Sequence, residues 1–168
     1  MQGVRPVDPT ASPGRAGRLL HRLGMSKAGR WYGINVASRI DPWLLRLTRG
    51  RFATTMVFPL AMLTTRGRRS GARRTVTLVY FTDGDEVVLT ASSFGRAKHP
   101  AWYLNAKANP EVELIVRGKR VRCVARETEG EERERLFELV KQLYGGYGLY
   151  EQLAGERRIP VLALRSAE

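Results

Sequence analysis

Thr64-Thr65-Arg66-Gly67-Arg68-Arg69-Ser70-Gly71-Ala72-Arg73-Arg74 sets five arginines, two glycines and three hydroxyls between two apolar runs, with no acidic residue among them. The flanking runs, Phe58 to Leu63 and Val76 to Phe81, are dense in residue types that favour strands, so the stretch reads as a loop joining two strands. Gly67 and Gly71 let the backbone turn sharply, which leaves N–H groups and the Ser70 hydroxyl free to donate to phosphate or carboxylate oxygens. Arginine adds planar, permanently charged forks suited to the same oxygens. No Gly-Lys-Ser/Thr triplet opens a helix here, so this is not a Walker loop. From the loop alone two readings stay open: a cradle for an anionic ligand, or a solvated basic turn.

The segments that follow fit a sheet built on those two strands. Thr75 to Phe81 and Glu86 to Ala91 pair as a hairpin about Asp83-Gly84-Asp85, and Val112 to Val116 pairs with Lys119 to Arg126 about Arg117-Gly118. Pro100 to Asn109 reads as a short helix that Asn109-Pro110 stops. Thr128-Glu129-Gly130-Glu131 has the form of a capping box, opening a helix with Leu136, Phe137, Val140, Leu143 and Tyr144 on one face. Gly145-Gly146 interrupts that helix, and Pro160 to Leu164 makes a last strand. The fold expected is therefore α+β: a mostly antiparallel barrel flanked by helices, carrying a basic N-terminal helical extension.

A chain of 168 residues is one ordinary domain with room for a proper core. Residues 1–17 hold Pro6, Pro9 and Pro13 without apolar periodicity and read as a flexible arm. Residues 18–51 read as short amphipathic helices, the second opening at Asp41-Pro42, and residues 52–168 as the barrel domain. Of the formal net charge of +13, residues 1–51 contribute ten Lys/Arg against only Asp8 and Asp41, residues 66–74 contribute five arginines, and the rest of the chain is balanced. Basic helices bearing Trp31 and Trp43 suit the headgroup region of an anionic bilayer, and equally a helix whose apolar face packs on the domain. No apolar run has signal-peptide or membrane-spanning character, so a cytoplasmic protein, soluble or peripheral on the inner face of the membrane, is expected. Cys123 alone cannot form an intrachain disulfide and suits a packed strand residue, and His21 and His99 lack a carboxylate cluster, so no metal site is expected. Aromatic and basic residues do not interleave as in RNA- or DNA-binding motifs, which argues against nucleic acid as a partner.

Leu63 to Gly71, then Leu78-Val79-Tyr80, Ala91-Ser92-Ser93-Phe94-Gly95, His99-Pro100-Ala101-Trp102-Tyr103-Leu104-Asn105 and Ala108-Asn109-Pro110 occur in an order that resembles the deazaflavin-dependent nitroreductase family of actinobacteria, over about residues 55 to 165. The resemblance implies a split β-barrel, of the kind that also binds FMN, and coenzyme F420, an 8-hydroxy-5-deazaflavin with a phospholactyl-oligoglutamate tail. It implies that Arg69, Ser70 and Arg74 hold the phosphate, with Arg68 and Arg73 near the glutamate carboxylates. By the same likeness Val76, Thr77, Ser92, Ser93, Phe94, Gly95, Trp102 and Asn105 belong to the coenzyme site, and Ser92 lies beside the deazaflavin and the acceptor. Ser93 and Phe94 stand where the family has lysine and glycine. Trp102 and Asn105, three apart on a helix, share one face. Without the motif they read as a core aromatic and a local cap.

Tyr144, Tyr147 and Tyr150 recur every three residues among three glycines, so helical geometry would place the phenols on one side. Such a cluster offers ring faces for stacking and hydroxyls that can bind or protonate a quinone or nitro oxygen, although tyrosines at a wet helix end also serve packing alone. The resemblance implies that they line the acceptor pocket. The function expected is hydride transfer from reduced F420 to a menaquinone-like quinone or a nitroaromatic, with Ser92, Tyr144, Tyr147 and Tyr150 as the catalytic candidates. The alternatives are an FMN- or tetrapyrrole-binding split barrel and a non-enzymatic lipid- or nucleic-acid-binding module. Pairing into a homodimer is open.

Overall fold

Apolar side chains at every second position, with short turns between runs, let six strands close on themselves. They are β1 Leu60–Arg66, β2 Arg73–Asp83, β3 Glu86–Thr90, β4 Glu111–Val116, β5 Lys119–Glu127 and β6 Val161–Ser166. In the computed structural model, which describes residues 4–11, 26–48, 54 and 58–167, these form a closed barrel in the order β1-β2-β3-β6-β5-β4 with every pair antiparallel. Ala61, Leu63, Val87, Leu89, Val112, Leu114, Leu162 and Leu164 fill the interior. Cys123 lies among them, and burial pushes its thiol up to about 11. The two tight hairpins turn at Gly84 (φ 55°) with Asp85 and at Arg117 (φ 48°) with Gly118 (φ 81°). Positive φ in such turns matches the strand twist.

The outer face of β2, β3 and β6 presents Phe81, Val88 and Val161. Over it lie α4 (Gly130–Leu143) and α5 (Gly146–Ala154), which bury Leu136, Phe137, Val140, Tyr147, Tyr150 and Ala154. Each large side chain in that layer contributes roughly 1.5–3 kcal/mol by leaving water. A short helix α3 (Ala101–Ala108) joins β3 to β4. Near the N-terminus, α1 (Lys27–Tyr32), a π-helical turn (Gly33–Ala37) and α2 (Ser38–Leu47) follow one another, and Leu45 packs on Met62 of β1 with Leu60 and Ile115 around them.

Several local expectations need correction. The arginine loop is shorter than the sequence suggests: β1 runs to Arg66 and β2 starts at Arg73, so only six residues, Gly67 to Ala72, lie outside the ladder. Asp41-Pro42 does not open a helix. It falls inside α2, and the buried Asp41 carboxylate accepts from the Thr54 N–H and hydroxyl, both at 2.7 Å. No capping box forms at Thr128, because its N–H and hydroxyl both donate to the Val161 carbonyl, at 2.9 and 3.0 Å, and Glu129 takes the cap position without a side-chain bond.

Of the supposed arm, Val4 and Pro9 are buried and Val7 is half-buried, while the other described residues of 4–11 are exposed. Val7 exchanges backbone and side-chain bonds with Thr82, and Val4 is buried at the barrel mouth. Residues 1–3 and 12–25, with the first stretch of the proposed helical extension, lie outside the described residues. In the described part of that extension Leu45 faces the barrel, while Trp31, Ile40, Trp43 (63% exposed) and Leu47 (68% exposed) face solvent.

Antiparallel order sorts the connections by barrel end. The β1–β2 loop, the segment from Ala91 to Pro100, the start of β4, the end of β5 and the α5–β6 link all fall at one end. The two tight hairpins and Val4 fall at the other.

Candidate coenzyme and acceptor site

The loop at the first end has a fixed shape. The Gly67 N–H donates to the Ala72 carbonyl and the Gly71 N–H to the Gly67 carbonyl, both at 2.8 Å, and Gly71 has φ 67°. A Cβ at Gly67 would meet Ser70 Oγ at 2.8 Å and the Ala72 carbonyl at 3.2 Å, so a side chain there would displace the Ser70 hydroxyl. Asn105 pins the loop from α3: its Oδ1 accepts from the Arg68 N–H at 3.1 Å and its Nδ2 donates to Thr65 Oγ1 at 3.3 Å. Asn109 Nδ2 adds a longer bond to the Arg66 carbonyl. Arg66, Arg68, Arg69 and Arg74 are exposed and make no ion pair among the described residues. Arg73 differs, since its guanidinium pairs with Glu113 on β4 at 3.1 Å. Loose cations on a rigid turn make a site for an extended anion.

At the same end of the barrel, β3 ends in a 3₁₀ turn, Ser93–Gly95, that begins at the half-buried Ser92. Ser93 (φ 51°), Phe94 (φ 56°) and Gly95 (φ 76°) are all left-handed. Gly95 lies against α5 so closely that a Cβ would stand 2.6 Å from that of Leu153. Phe94 meets Tyr150 edge-on, with centroids 5.8 Å apart.

The three phenols do gather. Tyr144 and Tyr147 are 5.8 Å apart, Tyr147 and Tyr150 5.8 Å, and Tyr144 and Tyr150 6.2 Å between centroids, and Phe58 adds a ring 5.0 Å from Tyr144. They differ in access: Tyr147 and Tyr150 belong to the buried layer over Phe81 and Val88, whereas Tyr144 is half-buried. Burial pushes the Tyr147 phenol well above its ordinary pKa, helped by Tyr144, so it stays neutral and keeps its O–H.

Not every expected residue reaches one place. Val76 packs against the barrel interior, whereas Thr77 points to the outer face, because neighbours on a strand face opposite sides. Trp102 is likewise buried in the interior cluster, and Asn105 is the member of that helix pair that hydrogen-bonds the loop. Sequence reasoning missed Thr65, Thr90, Phe58 and Arg157. Thr77 Oγ1 and Thr90 Oγ1, on the outer face of β2 and β3, are buried without a hydrogen-bond partner among the described residues. Orphaned hydroxyls are costly, and they fit a flat polar ring system lying on that face next to Ser92. Nothing in the spacing around Thr90 could have revealed this.

The family model described as F420H(2)-dependent quinone reductase matches residues 37–166. The chain belongs to the F420H(2)-dependent quinone reductase family. The F420H(2)-dependent quinone reductase Rv1261c of Mycobacterium tuberculosis is 32% identical over 130 residues, 75% of this chain and 87% of that protein. Among solved structures, the F420-H2 dependent reductase FDR-A is 38% identical with a TM-score of 0.59, over 64% of this chain and 94% of its own. A structure described as a domain-swapped dimer is 34% identical with a TM-score of 0.60, over 75% and 96%. A haem binding protein from Mycobacterium smegmatis, 17% identical with a TM-score of 0.51 over 71% of this chain and 49% of its own, shares the fold. Family members are oxidoreductases that use F420, and the arginine loop and the unpartnered threonines fit such a coenzyme. No helix among the described residues is long and apolar enough to cross a membrane.

Proposed function

We propose that the chain reduces a flat quinone, of menaquinone type, or a nitroaromatic at the end of the barrel shared by the arginine loop and the Ser92 turn. Reduced F420 supplies the hydride. Arg68, Arg69, Ser70 and Arg74 bind the anionic tail on the Gly67–Ala72 turn, while Thr77, Thr90 and Ser92 offer hydroxyls to the ring system on the outer face of β2 and β3. Ser92 Oγ donates to the acceptor oxygen that gains negative charge, and Tyr144, Tyr147 and Tyr150 hold the acceptor ring and supply a phenolic proton. No Cys, His or metal is needed for this, because positioning two rings accounts for the chemistry left to the protein.

Trp31, Trp43 and Leu47, exposed on a strongly basic segment, support docking on the anionic inner face of the cell membrane, where a lipophilic quinone resides. The observation that carries the reading is the set of four exposed arginines, Arg66, Arg68, Arg69 and Arg74, that make no ion pair among the described residues, on and flanking a turn fixed by Asn105 at the same barrel end as Ser92. Titration of the protein with F420, followed by oxidation of reduced F420 with menadione, tests it. Micromolar or tighter binding weakened about tenfold or more in Arg74→Ala, with turnover, is expected, since a charge-assisted pair contributes about 1.5–3 kcal/mol. No binding would overturn it.

A further inference from the structure

Arg157 stands in the link between α5 and β6, and its guanidinium meets three carbonyls of a single turn. Nη2 donates to the Ser92 carbonyl at 2.6 Å, Nε to the Arg96 carbonyl at 2.8 Å and Nη1 to the Ala91 carbonyl at 3.2 Å. No carboxylate pairs with it among the described residues, where its only other polar contact is His99 Nδ1 at 3.5 Å. Partial burial lowers its pKa from the ordinary arginine value. The three carbonyl dipoles, rather than a carboxylate, compensate the water that this half-buried cation loses.

What those carbonyls belong to gives the contact its meaning. Ser93 and Phe94 hold left-handed conformations that non-glycine residues keep only where the surroundings impose them. Within the turn only two backbone bonds oppose unwinding, from the Gly95 N–H to the Ser92 carbonyl at 3.0 Å and from the Arg96 N–H to the Ser93 carbonyl at 3.1 Å. Arg157 closes the turn from outside at both ends. Its own N–H donates to the Ala154 carbonyl at the end of α5, so the residue that grips the Ser92 turn also ends the tyrosine helix. On the far side of the guanidinium lies a cleft of about 530 Å³ walled by His99, Tyr103, Glu127 and Arg133. Its polar groups are paired with one another, through Tyr103 and Lys107 to Glu127 and through Arg133 to the Ile159 carbonyl.

We propose that Arg157 is a positioning residue for the reduction: its fork holds the Ala91–Arg96 turn in the shape that carries the Ser92 hydroxyl and sets the Phe94 ring against Tyr150. The role of the Ser92 hydroxyl rests on the reading given under Proposed function, whereas the shape of the turn does not. Lysine cannot replace the fork, because one ammonium on a flexible stem cannot reach three carbonyls set around a plane.

Amide hydrogen exchange and steady-state kinetics of Arg157→Lys and Ser92→Ala, singly and together, test the clamp. In Arg157→Lys the Gly95 and Arg96 amides are expected to exchange about tenfold faster or more while strand amides and the thermal midpoint hold. Turnover with menadione falls about tenfold, F420 affinity stays within about twofold, and adding Ser92→Ala lowers turnover by less than about threefold more, as two changes acting through one group are non-additive. Unchanged exchange in the turn, or loss of turnover that multiplies fully with Ser92→Ala, overturns the proposal. A Ser92→Ala enzyme with normal turnover counts against the role of Ser92 in the reaction, and the exchange result then decides the clamp alone. Should the lysine variant not fold, the wild-type protein gives the check: Gly95 and Arg96 amides protected like those of β3 support the clamp, and free exchange there sinks it.

Discussion

Tyr147 carries the sharpest residue-level test of the proposed chemistry. It is buried among Phe81, Val88 and the rings of Tyr144 and Tyr150, with its phenol held protonated by desolvation. Tyr147→Phe keeps that packing and removes one hydroxyl. Menadione turnover should fall roughly 10²-fold, at the lower end of what a positioned proton donor contributes, with F420 affinity unchanged. Normal turnover in all three single Tyr→Phe variants would remove the phenols from the reaction. The spacing of Tyr147 and Tyr150 was readable in the chain because a three-residue period becomes a shared face in α5, whereas Tyr144 lies outside both helices, extended at the end of α4, and reaches the cluster through the turn at Gly145. Asn105 was readable as part of the motif but its work was not, since the bonds to Arg68 and Thr65 span 37 and 40 residues.

At the scale of elements, α4 is fastened to the sheet by charge as well as by its apolar face. Arg135 meets Asp83 at the β2–β3 hairpin at 2.6 Å, and Arg126 of β5 bridges Glu86 and Glu132. The arginine bonds hold the Asp83 and Glu132 carboxyls below their ordinary pKa values. With the folded pKa depressed, the stabilisation is present above the unfolded value of about 4 and is lost as pH falls through the folded value. Thermal midpoints measured from pH 7 down to about 3 should therefore drop steeply below pH ~4, and Arg135→Ala should flatten part of that drop. A midpoint that is flat across this range would show the pairs to be idle. The helix itself was legible from Leu136, Phe137 and Val140, whereas the capping box was not borne out because a strand carbonyl, Val161, competes for Thr128.

For the whole molecule, the two ends of the barrel are separable. Val4 and Val7 close the end opposite the arginine loop, with Tyr80 donating to the Arg5 carbonyl at 3.4 Å. Deleting residues 1–8 removes that plug and the pairing with Thr82, and should cost about 2–5 kcal/mol in urea unfolding from lost burial and hydrogen bonds. F420 affinity should stay within about twofold, as no contact of the arginine loop is touched. A larger loss of affinity would show that the two ends communicate.

The sequence by itself determined the strands, the two hairpins, the arginine turn and the aromatic period of α5, because alternation, glycine and helical spacing act over a few residues. It also carried the family, through motifs spread over most of the chain. The tertiary structure alone decided which ends of the strands meet, that Val76 faces the core while Thr77 faces out, that Val4 is buried, and that Arg157 grips the Ser92 turn. Each of these is set by barrel closure or by a hydrogen bond to a carbonyl tens of residues away, and a backbone carbonyl leaves no mark in the identity of the residue that carries it.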